Sequence, residues 1–266
     1  MMIRQPISRT SRIVLGLACI FLLVAVYSWL SWRQHQFNPN DTTVPSWRQL
    51  KDGLLRATHP DPKGDIWLWE DLKATSVRLV AGISFGVFVA VALGLLMGCY
   101  PPVESFFLPP LAVLAKIPPT AMLAVFFVIV GTGFEYYISM IAFGIIPTLS
   151  QTVYEAAKKD VPDELIYKSY TLGASQAELI WNVIYKHILP KILEAARLQI
   201  GPSMVYLLAA EYVVGSEGFG YRIKLQGHQL HMDVVYVYLA ILGVAGFCFD
   251  QLLITIRRKI CPWYAP

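Results

Sequence analysis

The sequence predicts an all-α integral membrane protein of about six transmembrane helices. Three observations carry that expectation. First, 56% of the 266 residues are hydrophobic and only 15% are charged, where soluble domains run at about 25% charged. Second, the mean hydropathy is +0.51. Third, long stretches carry no charge at all, while arginines, lysines and tryptophans gather at their edges, as orientation signals and interfacial anchors do. The net charge of +4 sits mainly at the ends and in two loops, which points to membrane orientation and not to nucleic-acid binding. Cys19, Cys99, Cys248 and Cys261 lie in or beside apolar stretches with no metal-ligand spacing.

The first apolar run, Ile13 to Trp32, is long enough to cross a hydrocarbon core of ~30 Å. Arg4, Arg9 and Arg12 precede it, and Trp29 and Trp32 end it as interfacial anchors. A signal-peptide core is usually shorter and ends in small residues, so a retained helix with its N-terminus inside is expected. The polar stretch that follows has loop signals at Asn38-Pro39-Asn40-Asp41 and His59-Pro60-Asp61-Pro62. Between them, Trp47, Leu50, Leu54 and Leu55 fall on one face of a short amphipathic helix over Trp47 to Ala57. Basic residues in this segment (Arg33, Arg48, Lys51, Arg56 and Lys63) run against a strict inside-positive pattern.

Trp67 and Trp69 mark the next interface, and a second span is expected from Val77 to Cys99, closed by Pro101-Pro102. Arg78 lies near its outer end, where the long side chain either reaches the headgroups or joins an ion pair. The third span, Leu108 to Val130, carries Pro109, Pro110, Pro118 and Pro119. Membrane helices tolerate proline where neighbours satisfy the freed backbone groups, and this many predicts a bent or broken helix. Gly131-Thr132-Gly133 makes an outer turn before a fourth span, Tyr136 to Val153. The fifth covers Ile192 to Val214, a glycine-rich outer segment runs from Gly215 to Asp233, and the sixth covers Val234 to Ile256 before Arg257-Arg258-Lys259. With six spans both termini lie inside.

The charged stretch from Glu155 to Lys191 is the most organised loop. Asp160 is placed as a helix cap with Asp163 as its capping-box acid. The helix is expected to run through Asp163, Glu164, Leu165, Ile166, Tyr167, Lys168, Ser169, Tyr170 and Leu172 and to stop at Gly173, which supplies a left-handed residue. After Ala174, Ser175 and Glu178 form a second capping box, and Leu179, Ile180, Val183 and Ile184 make an apolar stripe. Helix, glycine hinge, helix on the inner face suits a docking knuckle, though an interfacial linker has the same pattern.

This loop resembles the cytoplasmic signature of permease subunits of binding-protein-dependent ABC importers. Gly173-Ala174-Ser175 matches the glycine element and Leu189-Pro190 a downstream leucine-proline pair, while Tyr167-Lys168-Ser169 stand where the family carries glutamate-alanine-alanine and Tyr185-Lys186 where it carries another leucine-proline. Ile117-Pro118-Pro119, Ala210-Glu211, Gly218-Phe219-Gly220-Tyr221, Arg197, Asp250 and Pro262-Trp263 are similar to the nitrate/sulfonate/taurine type over Trp69 to Trp263. The resemblance implies a type I ABC importer permease fold in a bacterial inner membrane. The apolar runs and interfacial signals divide the preceding chain into a cytoplasmic N-terminus and first transmembrane helix over 1–32 and a periplasmic segment with a short amphipathic helix over 33–70. A five-helix permease core over 71–256 would include a coupling loop at 155–191, followed by a cytoplasmic tail over 257–266.

The implied partners are a second permease copy, two cytoplasmic ABC ATPase subunits, a periplasmic substrate-binding protein and the lipid bilayer. No phosphate-cradling glycine-lysine motif occurs in the sequence, so ATP and Mg are expected on the ATPase and no cofactor or metal in this chain. The Asp163–Leu172 helix would pass ATPase movement to the spans by rigid-body rocking. Glu211 is the costliest intramembrane charge and is expected on the pore side as a gate, with Arg222 or Lys224 as the alternative surface partner. Met204, Tyr206, Tyr212, Gly218 and Gly220 are the other pathway candidates. A membrane enzyme would need a cluster of nucleophile, base or ligands, and none is evident. A structural membrane protein and an ion-driven transporter are the remaining rivals.

Overall fold

The computed structural model describes residues 8–39, 41–60, 64 and 66–264, and every regular element among them is a helix. Arg4, the Arg9 side chain, Asn40, Asp61, Pro62 and Lys63, all used in the sequence reading, lie outside the described residues. In chain order the helices are α1 (Arg9–Phe37), α2 (Trp47–Thr58), α3 (Trp67–Cys99), α4 (Pro101–Leu114), a 3-10 turn (Pro119–Met122), α5 (Leu123–Val130) and α6 (Phe134–Lys159). They continue as α7 (Asp163–Thr171), α8 (Gln176–Glu178), a π-helical segment (Leu179–Tyr185), α9 (Lys186–Leu198), α10 (Ile200–Val214), α11 (Phe219–His228) and α12 (Met232–Ile260).

Among the described residues, α3, α12 and Thr10–Phe37 of α1 are long and apolar enough to cross a membrane. The Pro101–Leu114 and Pro119–Val130 pair makes a further span if counted as one, bent by 86°. The expected fourth and fifth spans correspond to α6 and to α9 with α10. The polar Thr148, Ser150 and Gln151 dilute α6, and the chain breaks between α9 and α10 at Gln199.

Each break has a cause. Pro101 and Pro102 start α4 instead of merely closing α3, because the first turn of a helix has no use for their missing N–H groups. Pro118 and Pro119 produce the bend that the sequence predicts, and Pro109 and Pro110 are carried inside α4. Gly131 takes φ +87°, which ends α5. The amphipathic α2 begins with a capping box in which Ser46 and Gln49 satisfy each other's backbone N–H groups.

The centre of the bundle is the α3–α6 pair, the most extensive helix contact in the chain. Gly82, Gly86, Ala90, Gly94 and Gly98 repeat every fourth residue along α3 and face Ile141, Ile145, Val153 and Ala157 of α6. Small residues at this spacing let two membrane helices approach at backbone distance. Tyr136, Met140, Ile141, Ile145 and Leu149 of α6 are fully buried in this seam, with Ile188 of α9 and Leu207 and Ala210 of α10 packed behind them. Helix α1 stands apart, its apolar window wholly exposed. It is tied in its C-terminal half, where the Tyr27 hydroxyl donates to the Pro45 carbonyl at 2.6 Å and Trp47 Nε1 donates to Ser28 Oγ at 3.1 Å. Helix α2 is held to α12 by Arg56, which pairs with the buried Asp233.

Candidate functional site

Two polar constellations stand out at opposite ends of the bundle. At one end, α7 crosses beside the ends of α3 and α6, over a cavity of about 340 Å³ whose lining includes Gly98, Tyr100, Ala157, Val161 and Ile166. Its N-cap position holds Pro162, without a side-chain bond. The predicted cap, Asp160, instead ends α6 and accepts from Lys191 Nζ at 2.5 Å. Proline sits well before a first turn with its fixed φ, so no side-chain cap is required there. Asp163 and Glu164 nonetheless lie in the first turn of α7, where negative charge suits the helix dipole.

The glycine stop falls where the sequence places it. Gly173 has φ +83°, and the Gly173 and Ala174 N–H groups donate to the Tyr170 and Ser169 carbonyls at 2.9 and 3.0 Å. The Ser175 and Glu178 capping box forms as predicted, and the Ser175 backbone N–H holds the Glu178 carboxyl below its ordinary pKa. Ile166 turns into the core. Tyr167, Tyr170 and Leu172 point outward, Leu172 with 88% of its surface exposed, and the Lys168 and Glu164 charges pair at 3.6 Å on the same helix. The expected apolar stripe after Glu178 is real but π-helical: Leu179 and Ile184 are buried while Trp181 stacks on Tyr185 at 4.7 Å.

At the opposite end, α3 brings Asp71, Thr75 and Arg78 onto one face, at spacings of four and three residues. Glu211 of α10 lies against them, with its side chain fully buried. Arg78 Nη1 donates to Glu211 Oε1 at 3.0 Å, and Thr75 Oγ1 donates to the same carboxylate at 2.9 Å. Asp71 accepts from Arg222 Nε at 2.7 Å and from the Tyr238 hydroxyl at 2.8 Å. The guanidinium of Arg78 lies 4.2 Å from the Tyr137 ring centroid, and that of Arg222 lies 4.8 Å from Trp67.

These acids also cap α11. The first N–H groups of a helix lack intrahelical partners and carry partial positive charge. Here the Gly218 N–H donates to Asp71 Oδ1 at 2.8 Å, that of Phe219 to Thr75 Oγ1 at 2.9 Å, and that of Gly220 to Glu211 Oε2 at 2.9 Å. Gly218 needs its φ of +108° for this approach, and a Cβ there would stand 2.5 Å from Glu211 Oε1. The start of the glycine-rich segment is therefore a pinned helix start, because Gly218 and Gly220 let backbone reach buried carboxylates. Arg78, and neither Arg222 nor Lys224, is the partner of Glu211.

Of the other pathway candidates, Met204 packs towards Gly246 of α12 and the Tyr206 ring covers Gly144 of α6. Tyr212 is exposed beneath Lys224 Nζ at 5.6 Å. The structure thus brings Glu211, Gly218 and Gly220 together and sends Met204, Tyr206 and Tyr212 to three different surroundings. Sequence reasoning missed Asp71, Thr75, Glu217 and Tyr238. The available signal was the polar face Asp71, Thr75, Arg78 in an otherwise apolar helix. Arg197 pairs with Asp250 at 2.5 Å and with Glu194 at 2.8 Å, joining α9 to α12.

A multi-helix bundle with lipid-length apolar helices and internally paired charges defines a polytopic membrane protein. Residues 82–260 match the family of binding-protein-dependent transport system inner membrane components, and the chain belongs to that family. Over 98% of its length it is 27% identical to the taurine transport system permease protein TauC of Escherichia coli, covering 93% of that protein. It is 32% identical, over 70% of each chain, to a putative ABC transporter permease protein of Methanocaldococcus jannaschii. It is 25% identical to the nitrate import permease protein NrtB of Synechocystis, over 71% of this chain and 68% of that one. Inward-facing structures of the MetNI methionine ABC transporter share the fold, the type I importer permease fold. Their TM-scores are 0.59 and 0.61, at 22% and 20% identity over 73% of this chain and 94% and 96% of theirs.

The protein is therefore a permease subunit of an ABC importer, a multi-pass inner-membrane component that works with a substrate-binding protein and a separate ATPase subunit, which carries out ATP hydrolysis. The family match leaves out α1, α2 and the N-terminal part of α3.

Proposed function

We propose that this subunit forms the transmembrane pathway of an importer for a small oxyanion solute of the nitrate, sulfonate or taurine kind, as a pair of permease copies on two cytoplasmic ATPases. The names of the relatives support the solute class: taurine, nitrate, aliphatic sulfonates and bicarbonate. Basic residues at the inner ends of α6 and α12 (Lys158, Lys159, Arg257, Arg258 and Lys259) support an orientation with both termini in the cytoplasm.

The single observation that carries the mechanism is the α7 knuckle. It is short, it ends at a fixed left-handed glycine, its inner face grips the core through Ile166, and its outer face leaves Tyr167, Tyr170 and Leu172 uncovered. Residues Asp163 to Ser175 serve as the coupling element, seated on the ATPase and passing its movement to α6 and, through the π segment, to α9. At the other end, Glu211 and Arg78 hold α3, α10 and α11 as one unit that closes the outer gate. Alternating access is rigid-body rocking of these units. A photo-crosslinking residue at Leu172 tests the docking directly. It is expected to label the ATPase subunit when a crosslinker at the lipid-exposed Phe21 does not. Equal labelling from both positions, or none from Leu172, contradicts it.

A further inference from the structure

We propose that Arg78 is an oxyanion-binding residue at the outer end of the bundle and that the Glu217 carboxylate occupies its place until solute displaces it. This deepens the oxyanion reading above and rests on it. Arg78 is held by two acids of different character. Glu211 is wholly buried, whereas 54% of the Glu217 side chain is exposed. Arg78 Nη1 is fixed by Glu211 and by the Glu217 carbonyl, each at 3.0 Å, while Nη2 meets Glu217 Oε1 at 3.0 Å. Half-solvated pairs of this kind open at little cost. When Glu217 swings out, the guanidinium stays in place on Glu211 and against Tyr137, and one edge becomes free.

Space exists on both sides of that edge. Cavities of about 450 and 500 Å³ open there, and Arg78, Phe134 and Glu217 line both. The first is also lined by Lys73 and Glu70, one charge of each sign. Planar guanidinium is suited to the paired oxygens of carboxylate, sulfonate or nitrate. The charge balance favours exchange over addition: Asp71, Glu211 and Glu217 are hydrogen-bonded to Arg78 and Arg222, and the adjoining Glu70 and Lys73 offset each other. An anion arriving with Glu217 in place meets excess negative charge, and one that replaces Glu217 does not.

The test is binding of nitrate and of taurine to the permease–ATPase complex in nanodiscs without the binding protein, by calorimetry, for wild type, Glu217→Gln and Glu217→Asp. Removing the internal competitor should tighten nitrate and taurine binding about three- to fivefold in Glu217→Gln, the scale of an exposed ion pair. Glu217→Asp should stay within about twofold of wild type, since it keeps the competing charge. Affinity in Glu217→Gln that is undetectable, equal to wild type or weaker overturns the site. If the wild-type complex with its binding protein still takes up nitrate or taurine in that case, the importer reading stands and the Arg78 site alone is wrong. If the wild type takes up neither anion, the solute class and the site fall together.

Discussion

Arg78 and Glu211 form a salt bridge at 3.0 Å between α3 and α10, with 10% and 0% of their side chains exposed. The same carboxylate receives the Gly220 N–H of α11. One residue therefore fixes three helices at the outer end. Removing one partner of a buried pair leaves an uncompensated charge, at a cost of about 3–5 kcal/mol. Glu211→Leu is expected to lower the thermal unfolding temperature of the purified complex sharply. Glu211→Gln keeps the shape and loses the charge, so basal ATPase activity should rise and coupling weaken while the ranking of transported solutes stays unchanged. A changed ranking with coupling intact would show that Glu211 touches solute.

Gly173 tests the inner end. Its φ of +83° has open space around it, so the strain of a substitution is conformational and not steric. A β-branched residue in the left-handed region is penalised by about 1–2 kcal/mol. Gly173→Val should fray the end of α7 while the spans still insert, giving ATP hydrolysis that no longer drives uptake. Unchanged uptake and unchanged stimulation of the ATPase would remove the hinge from the account.

Along the α3–α6 seam, a Cβ on Gly94 would stand 2.6 Å from Val153 Cβ and 2.7 Å from the Ser150 carbonyl oxygen. At Gly16 of α1 it would meet nothing within 4 Å. Overpacking typically costs about 1–3 kcal/mol, and backbone on the facing helix cannot step aside as a side-chain tip can. Gly94→Leu should abolish recovery of folded complex, and Gly16→Leu should leave it unaffected. Comparable recovery of the two would mean that the seam is not close-packed.

Helix α2 depends on Arg56 and Asp233, because Arg56 pairs with Oδ2 of the buried Asp233, while its Oδ1 has no hydrogen-bond partner among the described residues. Hydrogen bonds to charged groups contribute about 1.5–3 kcal/mol. Arg56→Ala should loosen α2 from α12 and speed proteolysis between Asp41 and His59 in sealed, outside-out vesicles. Protection equal to wild type would place the hold on α2 in its apolar face alone.

Much of this was legible in the sequence because helices in lipid must satisfy their own backbone groups. Pro118-Pro119, Gly173 and the Ser175–Glu178 box each carry their signal within a few residues, and each appears where it was read. The outer cluster was only half legible. Glu211 announced itself as a charge in an apolar helix, but its partner lies 133 positions away, and no local pattern connects them. Lys224 and Arg222 were nearer in sequence, yet Arg222 is claimed by Asp71. Asp160 misled for the opposite reason: it has the residue type of a cap, but Pro162 set where α7 could begin. The π-helical stretch was hidden because an apolar stripe reads alike at either helical period over so few residues.

The central claim is that this permease moves a small oxyanion only when ATPase and binding protein act through it. The direct measurement is uptake of nitrate and of taurine into proteoliposomes holding the purified complex, with and without internal ATP and external binding protein. The account predicts two permease copies and two ATPases in the complex, and accumulation only when ATP and binding protein are both present. Accumulation of either solute without ATP, or a permease that purifies as a stable single copy and never retains an ATPase, would contradict it.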